Sequence, residues 1–269
     1  MGADRMKSIM FLGTSSSSGK TLISAVYCRY LHDKGLSVAP FKASGIAPHI
    51  HKSDKNRIMN MEQAIQAWAS GDIPEQRMNP VLFKPGRSKT VGIYIDGVKE
   101  YTLSAGCRPD NGRLLNSALE AFDGLSKEYD EVVCEGYGSP IDMNLYDDDI
   151  ANMRMVTERD IPAVLVADIE RGGVFAVIYG TWKLIPEKDR HHLKGYIINR
   201  FRGDESVLKD GIDKIEELTG LKCFGVAPYV NVYLPTEDVE NIDDICVSEI
   251  DRVLSIMKEH IDFEGLDSL

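Results

Sequence analysis

The 269-residue chain is short of positive charge. Its 31 lysines and arginines face 42 aspartates and glutamates, a net charge of −11. No basic block stands against that excess, which argues against a nucleic-acid partner. The five cysteines, Cys28, Cys107, Cys134, Cys223 and Cys246, form no C-x-x-C pair. Most sit in apolar runs, so they read as buried thiols of a reducing compartment and exclude both a disulfide framework and a cysteine zinc site. The histidines are equally unsupported: His49 and His51 in a polar stretch and the pair His191-His192 have no matching acid or cysteine pattern, so no metal ligation is expected of them. No apolar run exceeds strand length and no signal-peptide pattern is visible, so neither a membrane span nor a membrane partner is expected and a cytoplasmic location follows by default. There is no internal repeat. A hydrophobic share of 43% against 27% charged is enough for a full core, in one large α/β domain or a domain with a small appendage.

What is present is concentrated near the start. The apolar run Ser8–Leu12 ends in Gly13-Thr14-Ser15-Ser16-Ser17-Ser18-Gly19-Lys20-Thr21, and a helical pattern follows through Leu22, Ile23, Ala25, Val26, Tyr30 and Leu31. Strand, small-residue loop and helix are the context a Walker A phosphate loop needs. Small residues let backbone N–H groups turn inward around phosphate oxygens, and the helix N-terminus adds its positive dipole end. Thr14, Ser15, Ser16, Ser17, Ser18, Gly19, Lys20 and Thr21 are therefore the candidate ATP-binding residues. Lys20 would reach the β and γ phosphates, and the Thr21 hydroxyl would face Mg²⁺. The glycine expected four residues before Gly19-Lys20 is displaced to Gly13, a shift that resembles the dethiobiotin synthetase and cobyric acid synthase branch of phosphate-loop proteins.

Further strands are predicted at 37–42, 131–135, 163–168, 194–199 and 223–229, with helices over 59–69 and 114–125. The stretch 44–56 reads as a loop, and 90–98 as a hairpin around Asp96-Gly97. Alternation of strands and helices predicts an α/β fold, a mostly parallel sheet with helices on both faces. Ligands of such sheets sit beyond the carboxyl ends of the strands, where Lys42, Glu135, Asp168, Asn199 and Pro228 fall. Glu135 can ligate Mg²⁺ directly or through water, or be a solvated strand-end carboxylate. Lys42 can offset charge on a γ-phosphate or a developing oxyanion, or be a surface lysine. Asn199 has the donor and acceptor to read adenine, or serves a turn. The acid run Asp147-Asp148-Asp149 reads from composition as a solvated loop.

Taken together the motifs resemble cobyric acid synthases. The matching stretches are Gly13–Lys20, Pro40-Phe41-Lys42-Ala43, Gln63–Ala67, Met78–Pro85, Glu135–Pro140, Asn144-Leu145 with Asp147, Asp149-Ile150 and Asn152-Met153, Ala167–Ala176 running to Thr181, Ile197–Asp204, and Gly225–Tyr229. The resemblance covers roughly 8–238 and implies a dethiobiotin-synthetase/MinD-type phosphate-loop domain over 1–238, with 239–269 a tail carrying one amphipathic helix. It implies an ATP- and Mg²⁺-dependent ligase that activates a small-molecule carboxylic acid, a corrinoid side chain, as an acyl phosphate and then amidates it with ammonia. The residues implied are Lys20, Lys42 and Glu135 for catalysis, Thr21, Glu135 and Asp54 for the metal, and Ser139, Asn144, Asp149, Asp168 and Arg171 for the substrate.

Three features depart from the family. Ser44-Gly45-Ile46 replaces the usual Gln-Asn-Met, and Ile58–Glu62 replaces Glu-Ile-Gly-Arg-Ala. Either Asp54 or Glu62 is then left to supply the missing carboxylate. No Gly-x-Cys-x-Gly elbow of a glutaminase follows residue 238, so the chain is a piece of a longer protein, or ammonia comes from solution or a separate glutaminase subunit, or a related substrate is used. A homodimer is a further expectation. Two rival readings stay open. One is a dethiobiotin-synthetase-type carboxylate or carbamate ligase. The other is a ParA/MinD-type ATP switch, although Thr14–Ser18 lacks that group's extra lysine. Ile250, Val253, Leu254, Met257 and Ile261 share one face of the tail, with charges of both signs opposite, which favours docking on the chain's own domain over an anionic membrane.

Overall fold

Ile9 to Leu12 is an unbroken apolar run, stable as a strand only when both its faces are covered. In the computed structural model it lies inside a large parallel sheet. The structure describes residues 7–47, 49–53, 56–87, 89–104, 106–143, 148–235 and 239–269. In chain order the elements are β1 (Lys7–Gly13), α1 (Lys20–Asp33), β2 (Val38–Phe41), β3 (Ser44–Ile46), β4 (Ile50–Lys52), β5 (Ile58–Asn60) and α2 (Met61–Ala69). Then come β6 (Val81–Pro85), β7 (Thr90–Ile95), β8 (Val98–Ser104), α3 (Asn111–Glu128), β9 (Glu131–Glu135), α4 (Met153–Arg159), β10 (Ala163–Asp168) and α5 (Val174–Leu184). The chain closes with β11 (Leu193–Phe201), α6 (Lys209–Thr219), β12 (Lys222–Pro228), α7 (Ile242–Met257) and α8 (Phe263–Asp267).

The large sheet runs β12-β11-β10-β1-β9-β2, every pair parallel. Alternation along each strand sorts the core into two layers. Met10, Leu12, Val132, Cys134 and Leu165 pack under α3, α4, α5 and α6, whereas Ile9, Phe11, Val133 and Val164 pack under α1, α7 and α8. The fold is thus the mostly parallel sheet with helices on both faces that the sequence predicts. Pro40 sits in β2, an edge strand, where a missing N–H costs no pairing. The chain steps outward from β1 to β2, returns to place β9 between them, then continues on β1's other side with β10. That reversal opens a crevice at the carboxyl ends beside β1.

Local signals set several boundaries. Gly35, at φ 85°, ends α1; its N–H donates to the His32 carbonyl at 2.8 Å while Leu36 N–H reaches Leu31 O at 3.2 Å, a Schellman closure. The β7–β8 turn places Asp96 and Gly97 at φ 47° and 74°, the mirror-image turn that suits a two-residue hairpin. One expectation fails. The stretch 44–56 is not simply a loop, because β3 pairs with β6 in a second sheet ordered β3-β6-β7-β8, and β4 pairs with β5. Three-residue strands have no periodicity of their own, so their partners decide them. β11 also runs past Asn199 to Phe201. In the tail, Ile250, Val253, Leu254 and Met257 are buried, α7 packs on α1 and α2, and α8 follows as a second short helix.

Among the described residues no helix is long and apolar enough to cross a membrane.

Candidate nucleotide site

The loop after β1 is shaped by its two glycines. A Cβ on Gly13 would stand 2.5 Å from Ser18 Oγ and 2.7 Å from Lys20 Nζ, so this displaced glycine leaves the space into which the loop folds. Gly19 holds φ 98° at the start of α1, and a Cβ there would meet Asn199 Nδ2 at 1.9 Å. The α1 N-terminus has no side-chain cap and no acid in its first turn. Its N–H groups and positive dipole end are therefore left for an anion. Ser18 Oγ is buried without a hydrogen-bond partner among the described residues, a second sign of a site built for a ligand. Ser16, Ser17, Gly19, Lys20 and Thr21 border a cavity of about 730 Å³, which Lys42, Glu62, Glu135, Asn199 and Pro228 border as well. Ser15 is exposed on the loop, and Thr14 N–H extends the sheet by donating to Val166 O at 3.0 Å.

Charge is concentrated at one point in this cavity. Glu135, 1% exposed at the end of β9, accepts from Lys42 Nζ at 2.8 Å and Thr21 Oγ1 at 2.9 Å on one oxygen, and from Gln66 Nε2 at 2.7 Å on the other. Burial alone would push this carboxyl up; Lys42, Lys20 and the hydrogen bonds outweigh it and hold the group below its ordinary value. Burial alone would likewise lower the Lys42 ammonium, but Glu135 and Glu62 keep it raised. For Lys20, whose Nζ donates to Gly138 O at 3.1 Å, burial wins over Glu135 and its pKa falls. Two carboxylates thus meet a cation that is already part of the chain, and the Thr21 hydroxyl joins one of them, a group of hard oxygens of the kind Mg²⁺ takes.

Glu62, Gln66 and Asn79 are the site residues that the sequence patterns left open or missed. Glu62 Oε2 accepts from Lys42 Nζ at 2.9 Å, and Asn60 caps α2 by accepting from Glu62 N–H at 3.2 Å. Asn79 is fully buried; its Nδ2 donates to Lys42 O at 3.0 Å and its Oδ1 accepts from Asn60 N–H at 3.1 Å. It therefore fixes the backbone of Lys42 and the start of α2 together. The only advance signal was the Met78-Asn79-Pro80 stretch itself.

Asn199 is placed differently from the expected base reader. Its Nδ2 donates to Ser18 O at 2.9 Å and its Oδ1 accepts from Arg200 N–H at 2.9 Å, so the buried amide ties β11 to the phosphate loop. Removing that tie should loosen the loop more than the fold. Asn199→Ala is expected to weaken nucleotide binding about tenfold while costing about 1 kcal/mol of stability, to be checked by calorimetric titration and thermal melting.

The proposed substrate residues divide. Ser139 and Asp149 border a second cavity of about 420 Å³ together with Tyr137, Arg108 and Ile46. Asp149 is not solvated as its acid run suggested: burial raises its pKa, and its Oδ1 accepts from Ala151 N–H at 2.8 Å and Asn152 N–H at 3.0 Å. Asp168 is engaged by Arg200 at 2.7 Å and by Glu170 N–H at 2.8 Å, which closes the turn after β10. Arg171 is exposed on that turn and does not border either cavity. Asp54 and Asn144 lie outside the described residues.

A family model for the CobQ/CobB/MinD/ParA nucleotide binding domain matches residues 9–237. The chain belongs to this family. As a CobQ/CobB/MinD/ParA nucleotide-binding domain it is similar to the cobyric acid synthase of Streptococcus sanguinis, 43% identical over 234 residues that cover 87% of this chain and 47% of the relative. It is also similar to the cobyric acid synthase of Vibrio parahaemolyticus, 38% identical over 266 residues, 96% of this chain and 55% of the relative. The chain spans about half the length of the curated relatives it matches. Among solved structures, the signal recognition particle receptor FtsY from Elizabethkingia anophelis in complex with GDP aligns with a TM-score of 0.50 at 13% identity, over 93% of this chain and 65% of that one. At that identity the likeness speaks for the fold alone.

Proposed function

We propose that the chain is the ATP-dependent half of a cobyric-acid-synthase-type ligase. It activates a substrate carboxylate as an acyl phosphate and gives the amide with ammonia. The observation that carries this reading is the Lys42–Glu135–Thr21 contact beside Lys20, one cavity holding two cations, a buried carboxylate and a phosphate loop. The names of the relatives supply the substrate class, a corrinoid acid.

In this reading Thr21 and Glu135 hold Mg²⁺, with Glu62 beside them. The ion, when bound, offsets charge on the β and γ phosphates. Lys20 neutralises the phosphates at the end of α1. A carboxylate oxygen of the substrate attacks the γ phosphorus, the bond to the bridging oxygen breaks, and ADP leaves. Lys42, held raised by its two acids, stays cationic beside the transferring group. Ammonia then attacks the acyl carbon, phosphate leaves with the electron pair of the broken C–O bond, and the surplus proton on nitrogen passes to that phosphate.

The test supplies ATP, Mg²⁺ and cobyrinic acid diamide with either ammonium or glutamine, and measures product mass and phosphate release. The 269-residue chain is expected to amidate with ammonium and not with glutamine. Its rate at fixed total ammonium should rise with pH, because NH₃ is the nucleophile and NH₄⁺ has no lone pair to offer. Amidation driven by glutamine alone would contradict the nitrogen assignment. Phosphate release without amide, in the presence of ammonium, would move the function to the dethiobiotin-synthetase-type ligase or to an ATP switch.

A further inference from the structure

At the opposite edge of the sheet, away from the phosphate loop, the chain enters β10 and β11 by two neighbouring loops. Asp160 sits in the first, just after α4, and His191 and His192 end the second. The fold brings Asp160, 31 positions before His191, beside the histidine pair. Among the described residues these three form the group whose ligand atoms, one from each, all lie within 4.8 Å of one another. His192 Nδ1 stands 3.4 Å from Asp160 Oδ1, and the two imidazole rings lie 4.0 Å apart.

The proton positions favour a metal. Lys188 O lies 2.7 Å from His191 Nδ1, and a carbonyl can only accept, so Nδ1 carries a hydrogen and Nε2 is the nitrogen left to ligate. A backbone carbonyl on one ring nitrogen is the usual orienting partner of a histidine that ligates through the other. Asp160 adds one negative charge. Two imidazoles and a carboxylate are a common zinc donor set, with water completing four-coordination. Ligands about 2.0–2.1 Å from a tetrahedral ion stand roughly 3.4 Å apart. The outermost pair must therefore draw in by roughly an ångström, which the exposed carboxylate of Asp160 has room to do.

We infer that Asp160, His191 and His192 form a zinc site that clips the α4–β10 connection to the entry of β11. The clip is structural and stands apart from the ligase reading, because it lies at the amino ends of the strands whose carboxyl ends carry the nucleotide site. Asp160 has φ 52°, a left-handed conformation that Asn also tolerates. Asp160→Asn therefore removes the anionic ligand without disturbing the backbone, and His191→Ala removes an exposed ring.

The experiment titrates Zn²⁺ into metal-free full chain and into the two variants, with Co²⁺ absorption to identify the ligand type and thermal melting as a second readout. Wild type is expected to take up one ion at micromolar concentration, to show a Co²⁺ spectrum without thiolate bands, and to melt a few degrees higher with metal. Both variants should bind at least tenfold more weakly and lose the thermal shift. Thiolate bands would place the ion on cysteine and overturn the site. Affinity equal to wild type in both variants, or no uptake by wild type, would overturn it too, and loss in His191→Ala alone would overturn the role of Asp160.

Discussion

Lys20→Ala is expected to cut ATP-dependent turnover by about 10²–10³-fold or more while leaving the fold intact. Lys20 is 6% exposed, and among the described residues its Nζ finds Gly138 O at 3.1 Å as its one hydrogen-bond partner. Burial disfavours its charge more than Glu135 restores it, so the lysine is held at a cost to the unliganded protein. A residue in that position contributes when phosphate arrives, since a desolvated cation interacts with an anion far more strongly than one in water. Removing it should therefore leave the melting temperature unchanged or slightly higher. The measurement pairs phosphate release with a thermal melt on the same preparation. Turnover within a few-fold of wild type would sink the nucleotide assignment, and a melt many degrees lower would show Lys20 to be part of the scaffold instead.

Lys20 was legible in the sequence because its meaning is local: a strand, a turn of small residues and a helix, all within 14 positions of Ser8. The strands of the large sheet were legible for a similar reason, because an apolar run buried on both faces is its own signal. The contacts of α2 were not: Glu62 stood only as one of two candidate carboxylates until its bond to Lys42 placed it, and Gln66 meets Glu135 only after α2 packs against the end of β9, 69 positions further on. The tie between Asn199 and Ser18 spans 181 positions, and only the closed sheet brings the two together. β3 and β4 fall in a stretch whose Gly, Pro and polar residues signal a loop, and their pairing is imposed by β6 and β5. Asp149 misleads in the other direction: an acid run reads as solvated, yet burial and backbone N–H donors claim one of its members. What a sequence pattern reports is the neighbourhood along the chain. The chemistry here sits where distant carboxyl ends of strands meet.

The largest stability effect is expected from splitting the Lys42–Glu135 pair, whose members have side-chain exposures of 6% and 1%. Lys42→Met removes the nearest cation and leaves Glu135 desolvated with Lys20 as its remaining counter-charge, so burial weighs more heavily on the carboxyl. Breaking a buried pair from one side costs about 3–5 kcal/mol, because the remaining charge stays uncompensated. Glu135→Gln should cost less, since Lys42 keeps Glu62 at 2.9 Å and the amide preserves the shape of the carboxylate. The double variant Lys42→Met/Glu135→Gln should recover much of the loss of Lys42→Met while remaining inactive. That separates the two roles of the pair: stability needs only that no charge be orphaned, whereas turnover needs both charges. The pH dependence carries the same signature with a definite sign. Glu135 is depressed, so its contribution is present above the ordinary carboxylate pKa and is lost as pH falls through the depressed one. Lys42 is raised, so its contribution is present below the ordinary ammonium pKa and is lost as pH rises through the raised one. Wild type should therefore show a broad stability plateau across neutral pH with an acid edge, and the double variant should lose the part of that edge that belongs to Glu135. Urea unfolding of the four proteins at several pH values measures this directly. Additive losses in the cycle, with no recovery in the double variant, would mean that Lys42 and Glu135 do not sense each other, and the charge arrangement proposed for phosphoryl transfer would fall with them.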